Sequence, residues 1–124
     1  MTELRVEGFI TFLYYKNLEK AMHFYEEVMG LQLVVDQGWS KIYRVTGDAY
    51  VGLVDERRGY HRSSSTKPVI ICIVVPDVDS WHRHLKENGV DNLSDPVDSK
   101  ELKIRSFILT DPEGYVIEVQ TLPD

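Results

Sequence analysis

Two stretches of the sequence share one pattern: ITFLYYKNLEK at residues 10–20 and IICIVVPDVDS at residues 70–80. Each stretch is an apolar run rich in residues that favour strands, and each run leads to a residue that caps helices, Asn17 or Asp77. The two caps are 60 residues apart. The chain therefore contains an internal repeat, and each half is expected to begin with a strand that leads into a helix.

The segments after the two caps have the periodicity of helices. After Asn17, apolar residues recur at spacings of three and four until Gly30, and after Asp77 they recur until Asn88-Gly89. This spacing places the apolar side chains on one face of each helix, and a glycine is the residue that most easily adopts the left-handed conformation that ends one. The two helices are predicted to be counterparts.

Short strand-forming segments follow each predicted helix. A turn with the sequence DPEG separates the last two segments, with Pro and Gly at the positions that a type I turn favours. The segments are residues 32–35, 40–45 and 50–54 in the first half, and 103–109 and 115–120 in the second, with a weaker signal at 92–98. Each half is therefore predicted to have the element order β-α-β-β-β.

The predicted organisation is a single domain of two repeats over residues 1–124, in which a polar, Ser-rich linker joins two modules. The first module covers residues 5–56, the linker residues 57–68 and the second module residues 69–122. Neither module alone is long enough to enclose a site, whereas the pair is.

Composition and charge exclude several classes of function. Hydrophobic residues make up 43% of the 124 positions, enough for a packed core, and the net charge of −6 has the wrong sign for a protein that neutralises phosphates. Nucleic acid is not an expected partner. A membrane is not expected either, because no apolar run approaches the roughly 20 residues that span a bilayer. The single cysteine, Cys72, cannot form an internal disulfide, and we expect a cytoplasmic protein.

The helix signature NLEKAMHFY at residues 17–25, followed by Gly30-Leu31, and the hairpin DPEGYVIE at residues 111–118 resemble the vicinal oxygen chelate superfamily. This group includes glyoxalase I, bleomycin-resistance proteins, fosfomycin-resistance proteins and extradiol dioxygenases. The resemblance covers nearly the whole chain. It implies an α+β fold in which two βαβββ modules form a half-open mixed β-barrel around a cavity, usually in a homodimer.

The resemblance also implies four positions that hold a divalent metal ion in the metal-dependent members of the superfamily. They lie on the first and last strands of each module, and they match Ile10, Leu53, Ile70 and Glu118 in this chain. Glu118 alone carries a ligand atom, whereas a metal site of this kind needs about three protein ligands. We therefore expect no metal and no other cofactor.

Other residues are weaker candidates for the missing ligands. Asp55 or Glu56 would point inward only if a one-residue bulge shifted the strand, and such a slip would move its apolar side chains to the wrong face. His61 belongs to the predicted linker, where a solvated histidine is the favoured interpretation.

Strand alternation predicts the residues that line the cavity. Glu118 is the candidate catalytic residue, either as a general base or as the group that binds a cationic or hydroxyl group of a ligand. The alternative is a structural carboxylate paired with Arg105 or Arg44. The predicted cavity residues are Phe12, Tyr14, Tyr43, Cys72, Arg105, Phe107 and Glu118.

Three functions are compatible with these residues. The leading hypothesis is a small-molecule binding protein of the bleomycin-resistance type, without the usual metal site. The second is a lyase or dioxygenase of the glyoxalase type that depends on Ni, Zn, Mn or Fe. The third is a metal-independent acid–base isomerase that uses Glu118. The identity of the ligand does not follow from the sequence.

Overall fold

The computed structural model describes residues 3–123, and the chain forms two compact units that meet between Ser64 and Ser65. Each unit contains a four-stranded mixed sheet and one helical segment in the order β-α-β-β-β. The predicted α+β fold of two βαβββ modules is therefore confirmed. The segment predicted as a linker, residues 57–68, is divided between the two units.

Unit 1 consists of one helix and four strands. The first and last strands are parallel neighbours, and the sheet order is β1-β4-β3-β2. The elements are β1 (Phe9–Tyr15), α1 (Leu18–His23), β2 (Gln32–Asp36), β3 (Ser40–Thr46) and β4 (Ala49–Asp55).

The helix of unit 1 begins as its sequence predicts and then changes its winding. The side chain of Asn17 accepts a hydrogen bond of 3.0 Å from the backbone N–H of Lys20, which satisfies one of the donors at the helix start. Residues Phe24–Val28 continue α1 as a π-helical segment. Gly30 follows with φ of +74°, where a side chain would be strained, and the chain leaves the helix there.

One face of the unit 1 sheet is covered by the helical segment, and we call it the helix face. Leu13 and Tyr15 of β1 are almost fully buried on it, and the hydroxyl of Tyr15 lies 3.3 Å from the hydroxyl of Tyr25 in the π-helical segment. We call the opposite side of each sheet the open face. Alternation along each strand assigns every residue to one face or the other.

Unit 2 repeats this arrangement with a longer helix and shorter strands. Its sheet order is β5-β8-β7-β6, and β5 is again parallel to the last strand. The elements are β5 (Ile70–Val74), α2 (Val78–Glu87), β6 (Val97–Ser99), β7 (Ile104–Thr110) and β8 (Val116–Gln120).

The helix of unit 2 has both predicted ends. The carboxylate of Asp77 accepts a hydrogen bond of 3.0 Å from the backbone N–H of Ser80, and Gly89 follows the last turn with φ of +86°. Leu85 of α2 is fully buried, as are Ile117 and Val119 of β8 on the helix face of this sheet. The apolar side of α2 therefore supplies the core of unit 2.

The DPEG turn before β8 is held by its first residue. The side chain of Asp111, which is buried, accepts hydrogen bonds from the backbone N–H groups of Glu113 and Tyr115, at 2.9 and 3.0 Å. Gly114 has φ of +92°, which favours glycine. This turn fixes where β8 begins, and hence where Glu118 lies along it.

Most predicted strands agree with the structure to within one residue at either end, and the weak signal at 92–98 corresponds to the short strand β6 at Val97–Ser99. The first helix differs, because its regular α-helical part ends at His23. In residues 3–123, no helix is long and apolar enough to cross a membrane.

Candidate functional site

The open face of unit 1 carries aromatic side chains. Ile10, Phe12 and Tyr14 alternate along β1 with the buried helix-face residues, and Ile10 and Phe12 are 40% and 44% exposed. Across the parallel pair, Phe12 lies opposite Gly52 of β4. The ring of Phe12 lies over this glycine, because a Cβ added to Gly52 would be only 2.6 Å from Phe12 Cε1.

The segment after β4 packs on one end of this open face. A Cβ added to Gly59 would lie 2.5 Å from Val54 Cγ1 and 2.9 Å from Tyr14 Cε1, so the backbone approaches both side chains closely. The ring of His61 meets that of Tyr14 edge-on, with 5.3 Å between their centroids. His61 therefore contacts the sheet through Tyr14 while its side chain stays exposed, which agrees with the favoured interpretation of a solvated loop histidine.

The open face of unit 2 carries Glu118 among apolar side chains. Glu118 is half-buried and lies between Cys72 of β5 and Ile108 of β7 in the sheet. Ile70, Val74 and Ile108 on this face are all exposed, Ile70 to 58%. This carboxylate has mostly apolar neighbours, with the polar Gln120 next to it along β8, and it has access to solvent, a combination that suits a polar group that orients a ligand.

Cys72 lies beside Glu118 on the open face of unit 2 and is exposed. Burial of part of the thiol raises its pKa, and the neighbouring Glu118 carboxylate raises the pKa further because it repels the thiolate and accepts a hydrogen bond from the thiol. The thiol is therefore kept protonated, and its reactivity as a nucleophile is low.

The sequence alignment of the two modules was wrong by one residue at the last strand. It matched Glu118 with Leu53, but Leu53 pairs with Leu13 and is 0% exposed on the helix face of unit 1. In the parallel pairs, Ile10 lies opposite Tyr50, and Ile70 lies opposite Val116. Gly52 and Glu118 each lie two residues further along their strands, so Gly52 is the counterpart of Glu118. The module-one position therefore holds a glycine.

Tyr43 was predicted to line the cavity, and the structure places it on the helix face of unit 1. It is 0% exposed, it pairs with Val51, and its hydroxyl donates a hydrogen bond of 3.1 Å to Glu26 Oε1. Burial, and then the adjacent Glu26 carboxylate, raise the pKa of Tyr43 well above its usual value. Tyr43 is a core residue and does not reach the open face.

Arg105 and Phe107 were also predicted as cavity residues, and both lie on the helix face of unit 2. The Arg105 guanidinium donates hydrogen bonds of 3.0 and 2.9 Å to Asp79 of α2 and lies 3.3 Å from Asp98. Phe107 is buried and its ring meets that of His82 of α2 edge-on. Arg105 therefore pairs with two carboxylates on the helix side of its sheet. The predicted pairing of Arg105 with Glu118 was wrong.

Phe12, Tyr14, Cys72 and Glu118 thus lie on open faces, two in each unit. The prediction missed Gly52, Tyr50 and Arg44 of unit 1 and Ile108 of unit 2, which share those faces. Alternation alone could have grouped each of them with its strand neighbours. It could not have shown which group faces the helix.

The residues present do not fit a divalent metal ion. At the four positions that the resemblance implies for a metal, as the strand register places them, this chain has Ile10, Gly52, Ile70 and Glu118, which together offer one carboxylate. Within residues 3–123, no three His, Cys, Asp or Glu side chains are grouped so that they could hold a metal. One carboxylate does not supply the three ligands that a tight site needs.

Asp55 and Glu56, the carboxylates considered as substitute metal ligands, accept hydrogen bonds from residues of the segment after β4. Asp55 accepts hydrogen bonds from the side chain of Arg57, which lower its pKa to about 2. Glu56 accepts a hydrogen bond of 3.0 Å from the backbone N–H of Ser63, and its pKa is lowered by its hydrogen bonds to this residue. Neither lies at an open-face position of the sheet.

Comparison with known proteins identifies relatives over most of the chain. The metallothiol transferase FosB of Staphylococcus epidermidis is 31% identical over 108 residues, which are 85% of this chain and 74% of that protein. The protein YraH of Bacillus subtilis is 25% identical over 113 residues, which cover 83% and 88% of the two chains. Among solved structures, a lactoylglutathione lyase from Agrobacterium tumefaciens has the same fold, with a TM-score of 0.75 at 22% identity over 91% of both chains.

A sequence profile of one superfamily matches residues 8–119, which include both modules and all four positions discussed above. The duplicated βαβββ order, the helix caps and the DPEG turn agree with this match. The chain belongs to the Glyoxalase/Bleomycin resistance protein/Dioxygenase superfamily.

Proposed function

We propose that this protein binds a small organic molecule at the open faces of its sheets, and that it does so without a resident metal ion. The observation that carries the proposal is the single carboxylate of Glu118 among apolar open-face side chains, at a position where its counterparts are Ile10, Gly52 and Ile70. Apolar surface supplies affinity in such sites, and a few polar groups fix orientation.

Glu118 is assigned the role of orienting group in this proposal. Its carboxylate accepts hydrogen bonds, so the complementary ligand group is a hydroxyl or an ammonium. Ile108 and Cys72 flank this carboxylate in the sheet and are exposed, so a ligand that covers them would exclude water from the contact. The binding of a donor group at this point strengthens as water is excluded, because the local dielectric falls.

The relatives differ from this chain in the chemistry that their names state. FosB is named a metallothiol transferase, and that name describes the staphylococcal protein. The donor set of this chain does not supply a comparable metal site, so we do not carry the metal-dependent transfer over. A metal-dependent lyase or dioxygenase is the alternative that the first experiment addresses.

Metal analysis of the purified protein tests the absence of a resident metal. The proposal expects far less than one equivalent of Ni, Zn, Mn or Fe per chain after purification without chelators, with no difference between the wild type and Glu118→Ala. A stoichiometric metal that is lost in Glu118→Ala would overturn it in favour of the metal-dependent alternative.

A binding experiment tests the role of Glu118. Phenethylamine and phenethyl alcohol have the same ring and differ in the charge of the donor group. The proposal expects Glu118→Gln to weaken phenethylamine binding by about tenfold and to change phenethyl alcohol binding by less than about threefold, because the amide keeps an acceptor and loses the charge. Glu101→Gln, the same change at an exposed position in the turn between β6 and β7, is the matched control. Equal effects of Glu118→Gln on both probes would contradict the assignment.

We also propose that the protein is a cytoplasmic homodimer. Exposed apolar side chains on the strands, among them Phe9, Val74 and Val97, support a further contact with a second copy, since patches of this kind mark interaction sites. The free thiol of Cys72 supports a reducing compartment. Light scattering at micromolar concentration should give the mass of a dimer, and a monomer would refute this part of the proposal.

A further inference from the structure

On the open face of unit 1, the ring of Phe12 forms a flat aromatic surface, which we call the floor. The position of this ring depends on one glycine. The Phe12 ring lies over Gly52, and a Cβ at this position would collide with two atoms of the ring. Glycine inside a strand often marks a site of close approach, and here the approaching group is an aromatic ring. Phe12 nevertheless remains 44% exposed, so the ring offers a flat apolar surface to a ligand.

One end of this floor is closed by the segment that follows β4. The backbone at Gly59 lies against Val54 and Tyr14, and the rings of Tyr60, His61 and Tyr14 make two successive edge-on contacts at 4.8 and 5.3 Å between centroids. These contacts hold the segment at the end of the sheet. A ligand on the Phe12 ring is therefore bounded on this side by aromatic groups.

The other end carries a positive charge. Arg44 of β3 pairs with Tyr50 of β4, its guanidinium lies 5.2 Å from the centroid of the Tyr50 ring, and its Nη1 donates hydrogen bonds to the Tyr50 hydroxyl and the Gly47 carbonyl. The guanidinium is thus held in place. The register puts no Asp or Glu at the open-face positions of β1, β3 or β4, so this face is positive in a protein of net charge −6.

From these contacts we propose that the open face of unit 1 binds a planar aromatic ring that carries an anionic group, and that Phe12 determines this specificity. The ring of the ligand packs on Phe12, where stacked or edge-on aromatic pairs are favourable, and the anionic group lies toward Arg44. The inference rests on the proposed binding function and names the class of ligand for the unit 1 part of it.

Three probes separate the features of this ligand. They are 2-naphthoate, which is planar and anionic, 2-naphthol, which is planar and neutral, and cyclohexanecarboxylate, which is anionic and not planar. Their affinities are measured by calorimetry, and the contacted unit is identified from amide chemical shifts. We expect 2-naphthoate to bind best and to shift amides of β1, β3 and β4.

Substitutions of Phe12 and Gly52 at the floor, and of Arg44 at the positive end, give the decisive comparison of probe affinities. Phe12→Leu should weaken 2-naphthoate by about two- to tenfold and leave cyclohexanecarboxylate within about twofold, while Phe12→Tyr restores the affinity. Gly52→Ala should act like Phe12→Leu because it displaces the ring. Arg44→Met should remove an advantage of about two- to fivefold that 2-naphthoate has over 2-naphthol. Ile10→Leu, on the same face, is the control.

The outcomes separate this inference from the proposed function. Equal losses of 2-naphthoate and cyclohexanecarboxylate in Phe12→Leu would overturn the aromatic specificity. If 2-naphthoate instead shifts amides of unit 2 alone, the inference fails while small-molecule binding stands. If none of the probes, phenethylamine included, shifts an open-face amide of either unit, the proposed function fails as well. Because Phe12 is partly exposed, Phe12→Leu keeps the test decisive even where Gly52→Ala reduces folding.

Discussion

Replacing Leu53 with glutamate tests the register that puts Gly52, and not Leu53, on the open face of unit 1. If the sequence alignment of the modules were right, Leu53→Glu would place a second carboxylate on an open face and would cost little. In the structure Leu53 is 0% exposed and pairs with the buried Leu13 on the helix face. We therefore expect the substitution to unfold unit 1 near neutral pH.

The expected loss follows from two contributions. Removing the fully buried leucine side chain costs about 1.5–3 kcal/mol. Burial raises the pKa of the introduced carboxyl, and forcing this group into the core at pH 7 costs about 4 kcal/mol more. The sum of about 5.5–7 kcal/mol is comparable to the whole stability of a small folded domain, which is about 5–15 kcal/mol.

The chain contains one tryptophan in each unit, so the loss can be assigned to unit 1. Trp39 lies just before β3 and Trp81 lies in α2. Urea unfolding is followed by the fluorescence of Trp39 in a Trp81→Phe background, and of Trp81 in a Trp39→Phe background. The Trp39 transition should disappear or move to very low urea in Leu53→Glu.

The pH dependence gives a second readout with a defined sign. The folded state of Leu53→Glu binds the carboxyl proton more tightly than the unfolded state does, so its stability falls as the pH rises. The fall should begin near pH 4.3, the ordinary pKa of glutamate, and continue at about 1.4 kcal/mol per pH unit until the raised pKa of the folded state is passed. Acidification to pH 4 should therefore recover much of the Trp39 transition.

The matched control is Ile10→Glu, which introduces the same side chain on the open face of the same sheet. Ile10 is 40% exposed, so this variant should lose less than about 1.5 kcal/mol. The reasoning is refuted if Leu53→Glu is as stable as Ile10→Glu at pH 7, or if its stability does not increase on acidification.

Substitutions at three further residues test side-chain contacts within the two units. Asp111→Ala should lower the stability of unit 2 by about 2–4 kcal/mol, because two backbone N–H groups lose their acceptor, and Asp111→Asn by less than half of that, as measured from urea midpoints. Tyr43→Phe should cost unit 1 about 1–2 kcal/mol through its lost hydrogen bond to Glu26, and an unchanged midpoint would argue against that contact. Arg57→Met should shift the acid unfolding of unit 1 to higher pH. Arg57 lowers the pKa of Asp55 from its ordinary value of 3.8 to about 2. The Asp55–Arg57 pair therefore stabilises the fold above about pH 3.8, and its effect is lost as the pH falls toward 2. Identical acid titrations of this variant and the wild type would show that the pair does not contribute.

The elements of the fold follow from local signals. The caps at Asn17 and Asp77 are made by the side chains that the sequence suggested, and Gly89 has the positive φ that ends a helix. These features depend on a few neighbouring residues, so they can be recognised without any knowledge of the fold. The duplication itself was visible because both copies of the strand and helix keep the same spacing.

The regular helix in unit 1 was predicted too long because periodicity does not distinguish α-helical from π-helical winding over one turn. Tyr25 is buried in either case, and its hydroxyl lies 3.3 Å from that of Tyr15 on β1. Residues 24–28 are wound as a π-helix, and Tyr25 within them packs against the sheet.

By itself, the sequence determined that the chain is a duplicated βαβββ protein, and the family resemblance singled out Glu118 as the candidate site residue. Only the tertiary structure decided which side of each sheet faces its helix. In β4 nearly every side chain is apolar, and in β7 the one charged residue, Arg105, is held on the helix side by Asp79. Alternation groups such residues into two sets but does not orient the sets. The packing of each helix against its sheet orients them, and the strand register carries that orientation across the sheet, so that Gly52 and Glu118 lie on open faces. The same register puts Leu53, Tyr43 and Phe107 in the cores.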